Sequence, residues 1–565
     1  MARAARVGRD DRSANVYASA GSAVGAGPAK DAGPRGGSRG TRCAGLRVRA
    51  PWLLALLAVG VLTAACNRMN LAWPPVLGGE ASEKNTEARS TGATAPSRSA
   101  GARGSATKGS STSGNSGTSG VTLPTVASAS KELSELPSTP VQGVFGEPEV
   151  RVRLLEAATV ANISTNTLAQ VFVMPADATV PTATLRAPLS VALDAEGWTV
   201  RDASGVTAKY VRSAELLIAP DEAMLPASPL LAVPSPVGGR LARAAASAGL
   251  APKLTLDSGR FSGTFLLLAR SDASPRAFDL IESVAIEEYL RGVVTAEMFA
   301  SWPRGAFQAQ AVVARSYAIH QRQLARAQGA KFDLESNVRD QAYKGVTDNT
   351  TAALAVLDTR GAVLAWNGSV LRAYYSSTTG GRAASARDTW PIIKGFEYNL
   401  AGPLQTGPRD ATLGRTSPWF RWQVTRTRAD LSARLRAWGQ AAGHPVKHLR
   451  EVVGVRLATS NDQGRPSRFV LTDSTGATYT LQAEQLRFAC NAEAPGLAAI
   501  TRETRVHSSD VQWAIDGAGV TITGRGFGHG VGMCQYSAKE LADRGEKWRE
   551  IVTTFYPGAQ LVRAY

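Results

Sequence analysis

Short alternations of apolar and polar residues, separated by turn residues, limit what this chain can fold into more than any other feature. Residues 150–156 read VRVRLLE, and similar runs such as AQVFVM, LSVALDA and KYVRSAELLIA follow at intervals of about ten residues up to about residue 235. Alternation with a period of two is typical of half-buried β-strands. Hairpin patterns recur at 253–270 and 511–526. We therefore expect an α+β fold with a β-rich body and a few helices.

The longest predicted helix follows Pro303. Four apolar residues recur there at helical spacing and predict one buried stripe: Phe307, Ala311, Ala314 and Ala318. Arg315 lies beside this stripe, and Tyr317 follows on the same helix. Both are candidates for a site that the helix borders.

The apolar run at 52–65, WLLALLAVGVLTAA, predicts export. It follows Arg47 and Arg49 and is shorter than the roughly 20 residues that span a membrane. Cys66 comes directly after it and resembles the lipidated cysteine of a lipoprotein signal. We predict a lipoprotein-type signal peptide at 1–65 and a membrane-anchored protein of the cell envelope, facing periplasm or wall. A plain signal peptide and an uncleaved anchor are the alternatives.

Composition and the strand pattern distinguish two parts between the predicted signal peptide and residue 253. Residues 66–147 include a Ser/Thr/Gly/Ala-rich stretch at 90–120 that has too few large apolar side chains to fold, so this part is predicted to be a disordered tether. Residues 148–252 are predicted to form a β-rich N-terminal region.

Charge indicates the kind of partner. The chain carries 63 Lys and Arg against 46 Asp and Glu, a formal net charge of +17. A basic protein favours anionic partners such as cell-wall polymers or phosphate-bearing lipids. No signature of a nucleic-acid-binding domain is visible in the sequence, so nucleic acid is not an expected partner.

Two cysteines, Cys490 and Cys534, remain after the predicted processing. In an oxidising compartment they could form a disulfide. Two separate buried thiols are the alternative, and sequence does not decide between them.

Glu297 is the candidate catalytic residue. Cleavage of a glycosidic bond needs a proton donor for the leaving oxygen, and a carboxyl group with a raised pKa supplies it. The sequence neighbours of Glu297 are apolar and are expected to raise its pKa by desolvation: Val293, Val294, Met298, Phe299 and Trp302.

Most glycosidases use two carboxylates, but no second acid is evident here. Glu287 and Glu288 read as a solvated helix face. A lone acid fits a lytic transglycosylase, in which the 6-hydroxyl of the sugar replaces water as the nucleophile. A structural Glu297 that caps a helix or pairs with Arg315 is the alternative.

The segment 524–545, GRGFGHGVGMCQYSAKELADRG, carries alternating glycines that do not fit a dinucleotide-binding loop. Such glycines let the backbone approach a ligand or another strand closely. His529 lies between two of them and is predicted to be accessible, where it could bind sugar hydroxyls or orient Glu297. A structural histidine bonded to backbone is the alternative. Gln535 and Tyr536 begin a helix whose N-terminus could face a cleft.

The hydroxyl-rich segment 373–390, AYYSSTTGGRAASARDTW, is a second candidate for binding. Ser377 and Thr378 could donate hydrogen bonds to a polysaccharide, and Trp390 could stack on a sugar ring. Ordinary turn chemistry is the alternative. The segment has no G-x-S-x-G elbow that would indicate a serine nucleophile.

Four blocks, in this order, resemble the SpoIID/LytB family of peptidoglycan-active proteins. They are AEMFASWP with QAQAVVARSYA, then AYYSSTTGG, then Asp388-Thr389-Trp390, and finally GFGHGVGMCQYSAKELA with WREIVTTFYPGAQL. Together they cover about residues 253–565, and the resemblance implies that these residues form the catalytic domain. The resemblance implies that Glu297 is the catalytic acid/base and that the family's helix Arg, its His and its Gln fall on Arg315, His529 and Gln535.

The resemblance also implies a function. Family members act as lytic transglycosylases that cleave bonds between N-acetylmuramic acid and N-acetylglucosamine in glycan strands stripped of stem peptides. The LytB branch implies an alternative, a non-enzymatic wall-binding modifier that stimulates an amidase.

The sequence departs from the family at two places. Cys534 stands where the family usually has Ser. Some members bind zinc through Cys and His in the stretch that matches FDLESNVRDQAYKG, but Glu335, Arg339 and Asp340 occupy those places here. We therefore predict no metal and no cofactor.

Overall fold

The computed structural model describes residues 131–174, 180–221, 253–337, 339–410 and 412–565. The predicted signal peptide at 1–65, Cys66 and most of the predicted tether lie outside the described residues. The same holds for residues 222–252 of the predicted N-terminal region.

Strands outnumber helices in the described chain, and the predicted α+β, β-rich fold class is confirmed. The strands are β1 (Glu149–Ala158), β2 (Val160–Thr165), β3 (Leu168–Met174), β4 (Ala183–Arg186), β5 (Leu189–Leu193), β6 (Gly197–Arg201), β7 (Thr207–Val211), β8 (Glu215–Pro220), β9 (Leu254–Leu256), β10 (Gly259–Phe261), β11 (Thr264–Ala269), β12 (Phe278–Ala285), β13 (Leu334–Glu335), β14 (Ala362–Trp366), β15 (Ser369–Val370), β16 (Tyr375–Ser376), β17 (Trp422–Thr427), β18 (Val452–Ser460), β19 (Pro466–Asp473), β20 (Thr478–Gln482), β21 (Val511–Asp516), β22 (Gly519–Gly524), β23 (Met533–Cys534) and β24 (Gln560–Arg563). The α-helices are α1 (Lys131–Ser134), α2 (Ile286–Glu297), α3 (Arg304–Ala327), α4 (Thr350–Asp358), α5 (Ala386–Thr389), α6 (Arg428–Ala442), α7 (Ala483–Cys490), α8 (Gln535–Asp543) and α9 (Trp548–Phe555). Short 3-10 helices span Glu397–Leu400, Gly402–Leu404 and Pro445–His448.

The largest sheet joins both sides of the predicted boundary at residue 253. Its seven strands run in the order β13-β1-β12-β11-β8-β3-β4. β1 lies between β13 and β12, with Val152 opposite Glu282 of β12 and Leu334 of β13. The predicted regions 148–252 and 253–565 therefore share a sheet.

A second sheet also mixes the two regions. Its six strands run in the order β10-β9-β2-β5-β6-β7, with the hairpin of β9 and β10 added to the edge of β2. Side chains of both sheets, such as Val152, Val191 and Phe265, join one hydrophobic core with helix α3. Residue 253 thus does not separate two cores.

Residues 131–147, predicted to be the end of the tether, pack on this core. Leu133, Val141 and Val144 are buried in it, and Ser138 forms a β-bridge with Arg563. The folded part of the chain therefore begins before the predicted boundary at 148.

A second hydrophobic core lies within residues 419–524, which we call the inserted module. It contains β17 to β22 with helices α6 and α7, and its core includes Trp422, Leu435, Phe469, Leu486 and Ile522. The chain enters this module after the hydroxyl-rich segment and leaves it directly before the glycine-rich segment. The module is therefore an insertion between two candidate parts of the site.

Helix α3 confirms the predicted stripe, because Phe307, Ala311, Ala314 and Ala318 are all fully buried. Among the described helices, none combines the length and apolar character needed to cross a membrane.

Candidate functional site

Helix α2 ends at Glu297. Its C-cap residue Met298 is extended, and the chain turns through 298–303 before α3 begins. The elbow places the carboxylate of Glu297 inside the protein, where the residue is 1% exposed.

Two segments distant in sequence contact the Glu297 carboxylate. The backbone N–H of Ala342 donates to Oε1 at 3.0 Å, and Nε2 of Gln535 lies 3.4 Å from Oε2. Gln535 also lies within 3.5 Å of Oε1 of Gln310 on α3. Glu297 is thus bound between a loop after α3 and the first residue of α8.

Short parallel pairing brings Gln535 to this place. β23 pairs with β16, with Met533 opposite Tyr375, and the N–H of Tyr536 donates to the Ser377 carbonyl at 3.1 Å. Gly532 permits this approach, because a Cβ there would lie 2.0 Å from the carbonyl oxygen of Tyr374. The hydroxyl-rich and glycine-rich segments are therefore neighbours at the site.

Gln341 anchors the loop that delivers the Ala342 N–H. Its Oε1 accepts from the Tyr289 hydroxyl at 3.1 Å, and its Nε2 lies 3.3 Å from the Tyr375 hydroxyl. Burial raises the pKa values of Tyr289 and Tyr375 well above that of an ordinary tyrosine, and the nearby charge of Glu297 raises them further. The tyrosines therefore stay protonated and act as neutral hydrogen-bonding groups.

Three aromatic rings lie beside the Glu297–Gln535 contact. Trp302 packs against Tyr536 with ring centroids 5.0 Å apart, and Phe299 lies 5.4 Å from Trp302. Phe299 is half-buried. Trp302 and Tyr536 are buried, so among these three rings Phe299 alone has partly exposed surface that could contact the apolar face of a sugar ring.

His529 and Trp390 form a separate cluster with Tyr374. Trp390 stacks on Tyr374 at 4.1 Å, and its ring lies 5.1 Å from that of His529. The prediction of an accessible His529 is wrong: the residue is 1% exposed, and its Nδ1 accepts from the N–H of Val531 at 3.0 Å. Since Trp390 is buried and already stacked on Tyr374, it offers no open face to a sugar.

Arg315 lies in the core and contacts Glu287. Its guanidinium donates to both oxygens of Glu287, at 3.0 and 2.7 Å, and both residues are buried. The reading of Glu287 as part of a solvated helix face is therefore wrong, and the charge partner of Arg315 is Glu287. This contact lies in the core and joins α3 to α2.

Tyr317 is buried as well. Its hydroxyl donates to Asp340 at 2.8 Å and accepts from Arg372 at 3.0 Å. Burial raises the pKa of Asp340. This network fixes the segment that precedes Gln341, so Tyr317 supports the site from behind.

Ser377 and Thr378 are both buried beside the site. The N–H and C=O of Thr378 bond to Phe527, which ties the hydroxyl-rich segment to the glycine-rich one. These residues therefore build the wall of the site, and their hydroxyls are not on the surface.

Cys490 and Cys534 do not form a disulfide. Both thiols are free and buried, Cys490 in the core of the inserted module and Cys534 in the main core. The alternative of two separate thiols holds. Cys534 accepts from the N–H of Ser537 at 3.4 Å and so caps α8, the role that a serine would also fill.

The stretch that replaces the zinc ligands is held by charge pairs. Glu335 bonds to Arg153, and Asp340 accepts from the N–H of Glu335. Within the described ranges, no group of three His, Cys, Asp or Glu side chains is arranged to hold a metal ion.

Sequence reasoning missed the residues that bind Glu297 from the loop side. Ala342 acts through its backbone N–H, which no side-chain pattern could indicate. Gln310 is a polar residue in an apolar stretch, and this signal could have marked it, whereas Gln341 follows Arg339 and Asp340 and carries no such signal.

Comparisons with known proteins match two parts of the chain. Residues 275–366, which contain α2, α3 and Glu297, match the family model SpoIID, described as Stage II sporulation protein. Residues 409–532, which contain the inserted module, match a model described as a domain of unknown function, DUF8618.

Curated relatives match about half of the chain. It is 28% identical over 295 residues to the amidase enhancer of Bacillus subtilis, which covers 48% of this chain and 40% of the relative. It is 26% identical over 304 residues to Stage II sporulation protein D of the same organism, covering 50% and 76%. It is 26% identical over 313 residues to an uncharacterized protein of Brachyspira hyodysenteriae, covering 54% and 74%. The match thus spans less than half of the amidase enhancer.

Proposed function

Because the chain belongs to the SpoIID family, we propose that it acts on the bacterial cell wall, as a lytic transglycosylase of peptidoglycan glycan strands. A role related to the cell wall is the broader conclusion that the family supports. The cleavage reaction is the narrower proposal. In it, Glu297 is the single acid/base.

The contact of Glu297 with Gln535 and Ala342 carries the proposal. It joins the end of α2, the start of α8 and the loop after α3 around one carboxylate. A buried carboxylate needs partners of this kind, since an unpaired buried charge is costly. Trp302 and Tyr536 pack against each other beside it, and the half-buried Phe299 adds partly exposed aromatic surface.

The proposed reaction needs one group that gives and then takes a proton. The carboxyl group of Glu297 protonates the bridging oxygen between N-acetylmuramic acid and N-acetylglucosamine, and the glycosidic bond breaks. The resulting carboxylate accepts the proton of the muramic acid 6-hydroxyl. This oxygen then closes on C1 and gives a 1,6-anhydro end, so no water is consumed.

The test is product analysis of glycan strands without stem peptides. We expect the wild-type protein to produce anhydro-muramic ends that mass spectrometry detects. Glu297→Gln keeps the size of the side chain but removes the titrating group. It should lower the rate by about 10²–10⁴-fold, the usual contribution of general acid–base catalysis.

Glu288→Gln is the matched control, because Glu288 lies on the same helix and pairs with Arg291 at the half-buried surface. It should leave the rate unchanged. Anhydro ends formed at the wild-type rate by the Glu297→Gln protein would reject Glu297 as the acid/base. Their absence with the wild-type protein would reject the cleavage proposal as a whole.

A non-enzymatic role is the second candidate, in which the protein binds the wall and stimulates an amidase. One relative is named amidase enhancer, and Glu297 is 1% exposed, a burial that a structural carboxylate would also show. In this case release of stem peptides by a wall amidase should increase when the protein is added. The Glu297→Gln protein should stimulate as strongly as the wild type.

We also propose a location for the protein in the cell envelope. The predicted signal peptide and Cys66 would export the protein and anchor it in a membrane by lipid, and the predicted tether would let the folded part reach glycan strands.

A further inference from the structure

One of the contacts between the inserted module and the rest of the chain is a tight turn. This turn, residues 461–465, connects β18 and β19, and we call it the module turn. Oδ1 of Asn461 accepts from the N–H groups of Gln463 and Arg465, both at 3.0 Å. The turn is therefore rigid before it contacts anything else.

Arg465 extends from the module turn into the two segments that form the site. Its Nη1 donates to the carbonyl oxygens of Thr379 at 3.1 Å and Arg382 at 2.9 Å. Its Nη2 donates to the carbonyl oxygen of His529 at 3.2 Å. One guanidinium thus binds the hydroxyl-rich and glycine-rich segments together.

Two further side chains of the module turn bind the same loop. Gln463 accepts from the N–H of Ala383 at 3.0 Å, and Asn461 donates to the carbonyl oxygen of Ala383 at 2.8 Å. Gly530 lies directly against Arg465: a Cβ there would be 2.7 Å from Cζ of the guanidinium. The glycine-rich segment therefore fits closely around Arg465.

Arg465 is unusual in its surroundings. It is 1% exposed, and within the described chain it forms no ion pair. Its nearest acids have other partners, since Asp510 pairs with Arg382 and Glu484 pairs with Arg487. Burial lowers the pKa of Arg465, and burying a cation among neutral acceptors costs free energy. A merely apolar contact between module and core would avoid this cost.

We propose that the inserted module is a brace for the site, and that Arg465 is the positioning residue through which it holds both segments. This assigns a role to the part of the chain that matches a domain of unknown function. It rests on the proposed function only in treating these two segments as parts of the site. The ordering of the segments themselves can be measured without any activity.

Hydrogen exchange of the full chain, followed by mass spectrometry, tests the brace. Arg465→Met removes all the guanidinium contacts and keeps an unbranched side chain. We expect peptides covering 376–384 and 526–531 to exchange at least about tenfold faster than in the wild type, while peptides of β1 and β12 stay unchanged. Arg468→Met is the matched control, because Arg468 is exposed on the same hairpin, and it should change neither.

A milder variant keeps the test decisive if Arg465→Met does not fold. Gln463→Ala removes only the contact to the Ala383 N–H and one to the Gly407 carbonyl. It should speed exchange in 376–384 alone. If Gln463→Ala, and Arg465→Met where it folds, exchange like Arg468→Met, the brace is rejected.

Activity gives a separate readout. If the wild-type protein cleaves glycan strands, Arg465→Met should lower kcat/KM, and Arg465→Lys should restore part of it because an ammonium can still reach one or two carbonyl oxygens. If the wild-type protein cleaves nothing, the proposed function fails and the exchange data still decide the brace.

Discussion

At the scale of residues, the pair of Arg315 and Glu287 offers a clear prediction. Arg315→Met leaves the Glu287 carboxylate buried without its cation, which should destabilise the fold by about 3–5 kcal/mol. Arg291→Met breaks the half-buried pair with Glu288 and should cost less than about 1 kcal/mol. Urea unfolding of both variants makes the comparison. Equal losses would contradict a structural role for Arg315.

Local sequence could not reveal this pair. Arg315 was predicted beside the buried stripe and Glu287 on a solvated face, since the helical pattern of each segment was considered alone. Both residues face the space between α2, α3 and the start of β14, where the Ala362 carbonyl also accepts from Arg315. Which side of a helix meets a distant strand depends on tertiary packing. Glu297, by contrast, was identified by its apolar neighbours together with the family resemblance, since the neighbours alone also fit a structural role.

At the scale of elements, the pairing of β16 with β23 depends on Gly532. Gly532→Ala adds a Cβ 2.0 Å from the Tyr374 carbonyl oxygen at a φ of +69°, so β23 must move away from β16. Gly545→Ala is the control, because its φ is +89° but nothing lies within 4 Å. The control should cost about 1 kcal/mol from backbone strain alone.

We expect Gly532→Ala to lose at least about 2 kcal/mol more unfolding free energy than Gly545→Ala. The Tyr374 carbonyl oxygen that the new Cβ would meet belongs to the backbone, which cannot move aside as a flexible side chain can. Thermal or urea unfolding measures the difference. Similar losses in the two variants would mean that the strands can separate slightly without cost.

Elements with local periodicity were predicted well. The stripe of α3, the hairpin of β21 and β22 and the helix that starts at Gln535 all follow from residues close in sequence. The pairing of β16 with β23 does not, since both strands are two residues long and distant along the chain. The glycine alternation indicated a close backbone approach but could not name the partner.

At the scale of the whole molecule, stability should depend on pH through Glu282 in the seven-stranded sheet. The residue is fully buried, Oε1 accepts from the Gly263 N–H at 2.9 Å, and burial raises its pKa from 4.5 to about 7. Between these values the folded chain keeps a proton that the unfolded chain releases. Stability therefore falls as pH rises through this window, by at most about 1.4 kcal/mol per pH unit, and stays constant above it.

The comparison with Glu282→Gln isolates this effect, because a glutamine does not titrate. The unfolding free energy of the wild type minus that of the variant should fall by about 3 kcal/mol between about pH 4.5 and 7.5. Urea titrations at both ends of the range measure it. A difference that does not change with pH would show that Glu282 is ionised in the folded protein.

The overall class was predictable, and the assembly of the sheets was not. Alternation indicates strands, but it does not say that β1 lies between β12 and β13 on the other side of residue 253. The predicted boundary came from where the family resemblance ends, whereas the core follows the hydrogen bonds of β1. The sequence likewise did not indicate that the inserted module has a separate core.

The bridge between Ser138 and Arg563 has a consequence for how the molecule is made. The N–H of Arg563 also donates to the Pro137 carbonyl oxygen, and β24 pairs with β14. Because a ribosome releases residues in order, these contacts of Arg563 cannot form until residue 563 has emerged. Domains otherwise tend to fold as they are synthesised. These contacts therefore form only after the rest of the described chain has been made, a timing that suits the export proposed above.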